Sequence, residues 1–159
     1  MSDQLFVPAD FAIPGELTAA EFRLEPLGPK HNAADYAAWT SSISHIRATP
    51  GFAGTRWPHE MSPAENLCDL ERHADDFAGR RGFTYTVLSI PAGEVIGCVY
   101  IYPPSGQSPG QPSAGEPHAE VRSWVRADRA ALDLVLYLEV RAWLERDWPF
   151  RSIEYAPRS

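Results

Sequence analysis

Two arginines bracket a junction at which a predicted strand turns into a predicted helix. The stretch VRADRAALDLVL covers residues 125–136, with Arg126 and Arg129 beside the turn and no glycine inside it. The first turn of a helix offers free N–H groups and the positive end of the helix dipole, and an arginine adds a charge-assisted hydrogen bond. The pattern leaves two alternatives open: a site for the phosphates of a cofactor, or surface arginines that pair with neighbouring carboxylates.

Other chemical motifs are absent from the sequence. Four histidines recur every fourteen residues in unrelated contexts, at His31, His45, His59 and His73. There is no HxxxH or HExxH pair, Walker A loop, G-x-G-x-x-G turn or G-x-S-x-G elbow. Cys68 and Cys98 are too few for a disulfide framework or a zinc knuckle. We therefore expect no metal ion.

The composition predicts one globular domain. The chain has 159 residues, of which 44% are hydrophobic and 22% are charged. A net charge of −7 with only 14 lysines and arginines disfavours nucleic-acid binding. No apolar run approaches the ~20 residues that span a bilayer, and the beginning of the chain does not resemble a signal peptide. We expect a cytoplasmic protein that binds neither nucleic acid nor membrane.

Hydrophobic periodicity predicts the first half of the domain. Residues 1–20 read as an irregular arm ahead of a domain at 21–159, and four apolar residues of the arm are expected to pack onto it: Leu5, Phe6, Phe11 and Ile13. A strand at 22–27, a helix at 30–47 with a break near Ser41 and Ser42, and a loop at 48–61 follow. Next comes a helix that begins with Ser62 as N-cap, Pro63 and a capping-box Glu65, and that stops before Gly82.

The second half predicts a hairpin followed by a strand, a helix and a strand. The hairpin strands are 83–90 and 94–102, and the Pro/Gly/Ser-rich segment 103–118 is predicted to be a flexible loop. A fourth strand at 119–126, a helix at 128–146 and a fifth strand at 150–156 complete the domain. Strand, helix and strand in this order predict a right-handed crossover between parallel neighbours.

This order of elements resembles the GNAT superfamily of N-acetyltransferases over about residues 21–156. The resemblance rests on the order and on three stretches: FRLEPLGPKH, GEVIGCVYIYPP and EVRSWVRADRAALDLVLYLEVRAWLERDWPFRSIEY. It implies an α/β (α+β) fold with a mixed, mostly antiparallel sheet, flanking helices and a parallel splay between the fourth and fifth strands. It also implies direct transfer of an acetyl group from acetyl-CoA to an amine of a small molecule or peptide.

In such a fold the donor lies in the splay, held by the backbone of the fourth strand and by the start of the next helix. Carried onto this sequence, the cofactor-binding residues are Trp124, Val125, Arg126, Arg129, Ala130, Ala131, Leu132, Asp133 and Leu134.

In the family this turn begins with Gln or Arg. Two residues of any type, a Gly, one further residue of any type, and a Gly or Ala then follow, and the present sequence departs from this pattern. Arg129 fits the first position, but Leu132 and Leu134 replace the small residues, and their side chains obstruct a close approach of phosphates to the backbone. Asp128, the predicted N-cap, would occupy helix N–H groups and repel phosphate, and Asp133 adds to the repulsion. The alternative function is a catalytically silent domain of the same fold that binds a ligand or another protein.

Aminolysis of a thioester needs a base for the amine and an acid for the departing thiolate. Alternation along the fourth strand groups Glu120 with Arg122 and Trp124 on one face. Glu120 is the predicted base, and the alternative is a carboxylate that pairs with Arg122. Tyr137, on the polar side of the following helix, is the predicted acid. Two tyrosines of the third strand are alternatives for it, Tyr100 and Tyr102.

The loop after the first helix is the predicted cover of an acceptor pocket. Phe52, Trp57 and Tyr100 are predicted to form its walls, unless the loop aromatics only anchor the loop to the core. Three carboxylates are candidates to attract a cationic amine: Asp35, Glu60 and Glu94. We expect the arm or a second subunit of a homodimer to cover the edge of the last strand.

Overall fold

The computed structural model describes residues 5–104 and 118–158. In this part of the chain six strands form one sheet in sequence order, and each neighbouring pair is antiparallel except the last. The strands are β1 (Leu17–Thr18), β2 (Phe22–Pro26), β3 (Phe83–Ser89), β4 (Val95–Tyr102), β5 (His118–Val125) and β6 (Ser152–Tyr155). This mixed sheet with flanking helices confirms the predicted fold class. The predicted flexible loop at 103–118 lies almost wholly outside the described residues.

Within the described residues four α-helices accompany the sheet: α1 (Asn32–Thr40), α2 (Ile43–Ala48), α3 (Pro63–Ala78) and α4 (Asp133–Asp147). Two 3₁₀ segments precede α1 and α4, at Pro29–His31 and Ala127–Leu132. Nowhere in residues 5–104 and 118–158 is a helix long and apolar enough to cross a membrane.

Local signals in the sequence set the bounds of two helices. At the start of α3 the Ser62 hydroxyl accepts from the backbone N–H of Glu65 (3.1 Å), and the Glu65 carboxylate accepts from the N–H of Ser62 (2.8 Å). The predicted helix 30–47 is divided at Ser41 and Ser42, as expected. The Ser41 hydroxyl donates to the backbone oxygen of Ala38 (2.8 Å), so a side chain here competes with the helical backbone.

Two apolar clusters form the core. One includes four α4 residues, Leu136, Val140, Trp143 and Leu144, together with Ala119, Val121 and Val125 of β5. The other joins Trp39 of α1, Ile46 of α2 and Leu70 of α3 to Trp124 of β5. Because successive strand residues point to opposite faces, α4 lies on one face of β5 and α1 to α3 lie on the other.

The N-terminal arm packs on the core, but its strand lies at the edge of the sheet opposite β6. The ring of Phe6 lies 5.2 Å from that of Phe150, and the Tyr85 hydroxyl donates to the backbone oxygen of Pro14 (2.6 Å). Leu5, expected to pack, is 64% exposed. Since β1 pairs with β2, the described part of the arm does not cover the β6 edge, so of the two expected covers the arm is ruled out and a second subunit stays a prediction.

Candidate active site

The two parallel strands separate where the family resemblance implies a splay. β5 and β6 pair only as far as Val121 opposite Tyr155, whereas β5 continues to Val125, which pairs with Gly97 of β4. Gly97 allows this close pairing, since a Cβ there would lie 2.3 Å from the backbone oxygen of Trp124. The result is a gap between the last residues of β5 and the chain that follows β6.

The side chain of Arg158 fills this gap. Its Nη2 donates to the backbone oxygen of Ser123 (2.7 Å) and its Nε to the Asp133 carboxylate (2.8 Å). The arginine side chain is only 3% exposed. A donor molecule held by the backbone of β5 would therefore have to displace Arg158.

Tyr137 lies beside the same gap. Its ring centroid is 4.6 Å from that of Tyr155, and the Arg158 guanidinium lies over both rings at 5.8 and 5.7 Å. The hydroxyls of Tyr155 and Ser123 are hydrogen-bonded (2.6 Å), and burial raises the pKa of Tyr155. Tyr137 was expected on the polar side of its helix, but its ring packs against Tyr155 because α4 faces the end of β6.

The turn that follows β5 differs from the prediction. The helix was expected to begin at Asp128, but a 3₁₀ segment occupies Ala127–Leu132 and α4 begins at Asp133, with Leu132 as its N-cap. The expectation that Asp128 caps the helix is wrong. Its carboxylate accepts two hydrogen bonds of 2.9 Å from the guanidinium of Arg126, and this pairing lowers the pKa of Asp128.

The other predicted phosphate contacts are spread over this turn. Nη1 of Arg129 lies 4.0 Å from the Asp128 carboxylate, so both arginines have a carboxylate neighbour, as the surface alternative supposed. Leu132 packs partly against the core. The remaining members, Ala130, Ala131 and Leu134, are exposed.

A cavity of about 420 Å³ opens on the other face of β5. Among the described residues that line it, those that matter chemically come from α1 (Asp35), the loop before α3 (Phe52, Trp57), α3 (Asn66, Asp69, Arg72, His73), β4 (Tyr100, Tyr102) and β5 (Glu120, Arg122). Glu120 and Tyr137 therefore lie on opposite faces of the sheet.

Three aromatic side chains form one wall of the cavity. The ring centroids of Phe52, Trp57 and Tyr100 lie 6.0 to 6.3 Å apart. The Trp124 indole N–H donates to the Tyr100 hydroxyl (2.9 Å), and burial raises the pKa of Tyr100 well above its usual value. The structure thus brings together the three aromatics named from the sequence. They line the cavity and also pack on the core.

Four charged residues of the cavity wall form two close pairs. Nη2 of Arg72 lies 3.4 Å from the Asp69 carboxylate, and Nη2 of Arg122 lies 3.9 Å from that of Glu120. Glu120 thus lies in the cavity wall, where the predicted base would be needed. It also lies beside Arg122, as expected for a carboxylate that only pairs with that arginine.

Asp35 is the most deeply buried acid of the cavity, with 4% of its surface exposed. One carboxylate oxygen, Oδ2, accepts a hydrogen bond from the Asn66 amide (3.2 Å), and that amide accepts one from the Trp39 indole (3.0 Å). Burial raises the pKa of Asp35 to about 6. Of the three carboxylates considered for a cationic amine, Asp35 alone lines the cavity; Glu94 lies 3.5 Å from Arg126.

His73 is a site residue that the sequence reasoning missed. The Tyr102 hydroxyl donates to the Asp76 carboxylate (2.9 Å), so its oxygen accepts from Nδ1 of His73 (2.9 Å), which also lies 3.0 Å from the Thr84 hydroxyl. This arrangement assigns the proton to Nδ1 and leaves Nε2 as a proton acceptor. Burial lowers the pKa of His73 to about 4, so the ring is neutral at pH 7.

A spacing in the sequence could have revealed this site. Asp69, His73 and Asp76 lie four and three residues apart and so share one face of α3. Within the described ranges, no three His, Cys, Asp or Glu side chains are grouped so as to hold a metal ion.

No protein-family model matches the sequence, and no curated protein matches it. Several solved structures, however, are similar to this chain. RimL, described as a ribosomal L7/L12 alpha-N-protein acetyltransferase, is similar with a TM-score of 0.64 and 11% identity, over 86% of this chain and 68% of that one. The ribosomal-protein-S5-alanine acetyltransferase from Vibrio fischeri has a TM-score of 0.58 and 9% identity, over 81% and 66%.

The microcin C7 self immunity acetyltransferase MccE, solved in complex with acetyl-CoA and AMP, has a TM-score of 0.60 and 11% identity, over 83% of this chain and 67% of that one. The chain thus spans about two thirds of the length of each of these structures. A GNAT-family acetyltransferase from Bordetella pertussis is also similar. With its mixed sheet opening between β5 and β6, the chain has the fold of the GNAT acetyltransferases.

Proposed function

We propose that the protein is an acyl-CoA-dependent N-acetyltransferase that transfers acetyl directly from acetyl-CoA to an amine of a small molecule or peptide. The observation that carries this proposal is that β5 serves both the gap and the cavity. Ser123 lies at the gap and Glu120 in the cavity wall. Three residues along a strand span about 10 Å, so a donor in the gap and an acceptor in the cavity would lie about that far apart, on either side of one strand.

The residues of the chain divide the chemistry between them. Glu120 takes the proton from the attacking amine as its nitrogen forms a bond to the thioester carbonyl carbon. The carbon–sulfur bond breaks, and Tyr137, beside the gap, donates a proton to the thiolate. The backbone of Trp124 and Val125 binds the donor's pantetheine amides. Arg126 and Arg129, with the turn of residues 130–134, bind its phosphates.

A second function is favoured by the filled gap. Arg158 bonds to the backbone oxygen of Ser123, beside the residues proposed to bind the donor, and leucines stand at the two small-residue positions of the turn. These features support a catalytically silent domain that keeps the cavity as a binding site for a ligand or a protein segment.

We also propose a homodimer. Leu134, Val135 and Leu138 of α4 are 38 to 56% exposed, and among the described residues β6 is an unpaired edge strand. An exposed apolar patch beside an open strand edge supports a second copy as its cover.

The first function is tested by the release of free thiol from acetyl-CoA across a panel of amines. We expect amine-dependent release, reduced about 100-fold or more in Glu120→Gln, because a general base contributes at least that much. Glu139→Gln, an exposed change on α4, is the matched control and should turn over like the wild type. Wild-type rates in Glu120→Gln would remove Glu120 from its role, and no release with any amine would favour the silent domain.

A further inference from the structure

Asp35 stands apart from the other charges of the cavity. The pairs Arg72 with Asp69 and Arg122 with Glu120 each bring opposite charges together. No lysine or arginine in residues 5–104 and 118–158 pairs with Asp35, and its Oδ1 accepts no hydrogen bond there. The cavity therefore contains one buried carboxylate whose charge the described chain does not balance.

Such a carboxylate is costly to keep charged, because an unpaired buried charge loses its hydration without compensation. The groups around it do not remove the cost. His31 favours the charged form but is engaged by Glu25 (2.7 Å), and Asp69 opposes it. The two other titratable neighbours, Cys98 and Tyr100, remain neutral because burial raises their pKa.

A ligand cation would balance the charge, and the rest of the cavity fits an organic one. The aromatic wall of Phe52, Trp57 and Tyr100 supplies apolar surface and ring faces that attract a cation. The volume of about 420 Å³ lies in the range of small-molecule sites. The open Oδ1 of Asp35 favours a nitrogen that carries N–H donors over a quaternary one.

We infer that this cavity binds an organic ammonium ion, with its charged nitrogen on Asp35 and its apolar body against Trp57 and Phe52. Binding does not depend on CoA. One consequence rests on the proposed function: a protonated nitrogen is not a nucleophile, so the ammonium on Asp35 anchors the acceptor. The nitrogen that receives the acyl group is then a second one, and the acceptor is a diamine.

Calorimetric titration without CoA tests the binding site, with benzylamine and its neutral analogue benzyl alcohol as probes. We expect benzylamine to bind at least tenfold more tightly than benzyl alcohol. At pH 6, where Asp35 is partly protonated, binding should release protons, seen as a heat that depends on the ionisation enthalpy of the buffer. At pH 7.5 this release should fall.

Asp35→Asn should weaken benzylamine binding at least tenfold and abolish the proton release. Asp75→Asn, an exposed change on α3, is the control and should leave both unchanged. Far-ultraviolet circular dichroism checks that each variant is folded. Equal affinity for benzylamine and benzyl alcohol, or unchanged binding in a folded Asp35→Asn protein, would overturn the inference.

The diamine consequence is tested separately by thiol release with p-xylylenediamine and benzylamine. We expect turnover of the diamine only. Equal turnover of both amines would overturn the diamine step, whereas tight benzylamine binding without turnover of either would overturn the proposed function and leave the binding site standing.

Discussion

At the scale of single residues, the cavity wall contains two titratable side chains whose pKa values are shifted in opposite directions. Burial raises the pKa of Asp35 to about 6 and lowers that of His73 to about 4. As pH rises from about 4 to about 6, an unfolded Asp35 loses its proton first, so the free energy of unfolding falls. As pH falls from about 6.5 to about 4, an unfolded His73 gains a proton first, and the free energy of unfolding falls again. The two effects offset one another between pH 4 and 6.5.

Substituting Asp35 and His73 one at a time should separate their effects on the free energy of unfolding. At pH 7 Asp35→Asn should be more stable than the wild type by up to about 3 kcal/mol, and this advantage should disappear by pH 4. His73→Gln should gain up to about 3 kcal/mol relative to the wild type as pH falls from 6.5 to 4. Urea unfolding at half-unit steps from pH 4 to 7.5 measures both. A difference between Asp35→Asn and the wild type that does not vary with pH would contradict the account.

The sequence identifies candidate site residues better than it predicts which side chains they contact. Phe52, Trp57 and Tyr100 could be named because large aromatics beside a loop indicate either a wall or an anchor, and here they are both. His73 could not be distinguished from the other histidines, because the hydrogen bonds that set its role come from Tyr102 and Thr84, which lie far along the chain.

At the scale of elements, Arg158 holds together the chain after β6, the start of α4 and the end of β5. Arg158→Ala should lower the free energy of unfolding by about 3 kcal/mol, since it leaves Asp133 without its partner. It should also strengthen acetyl-CoA binding about tenfold, because the donor no longer displaces a charged hydrogen bond worth about 1.5 kcal/mol.

Arg151→Ala removes the same charge at an exposed position and should change neither quantity. Unfolding in urea and fluorescence titration with acetyl-CoA measure the two effects. Weaker binding of acetyl-CoA by Arg158→Ala would mean that Arg158 contacts the donor instead of competing with it.

Elements with local signals were predictable, and the junction was not. The capping box of Ser62 and Glu65 gave the start of α3 correctly, because its hydrogen bonds join residues three apart. The start of α4 was misplaced because Arg126 takes the carboxylate of Asp128, leaving a 3₁₀ turn instead of a capped helix. The periodicity of apolar residues does not show whether a carboxylate will accept hydrogen bonds from a helix N-terminus or from a neighbouring arginine.

At the scale of the whole molecule, one sheet places the two proposed binding sites on opposite sides of β5. Its strands follow in sequence order, α4 covers the gap face, and α1 to α3 build the cavity face. The order of elements sufficed to predict this architecture. It did not predict the filling of the gap, because Arg158 and Ser123 are 35 residues apart.

Equilibrium unfolding of the wild-type protein with excess acetyl-CoA tests the central claim most directly. If the gap binds the donor, the free energy of unfolding should rise by ~2.7 kcal/mol at 100 times the dissociation constant. Unfolding curves of the wild type and of Arg158→Ala that neither acetyl-CoA nor free CoA displaces would contradict it.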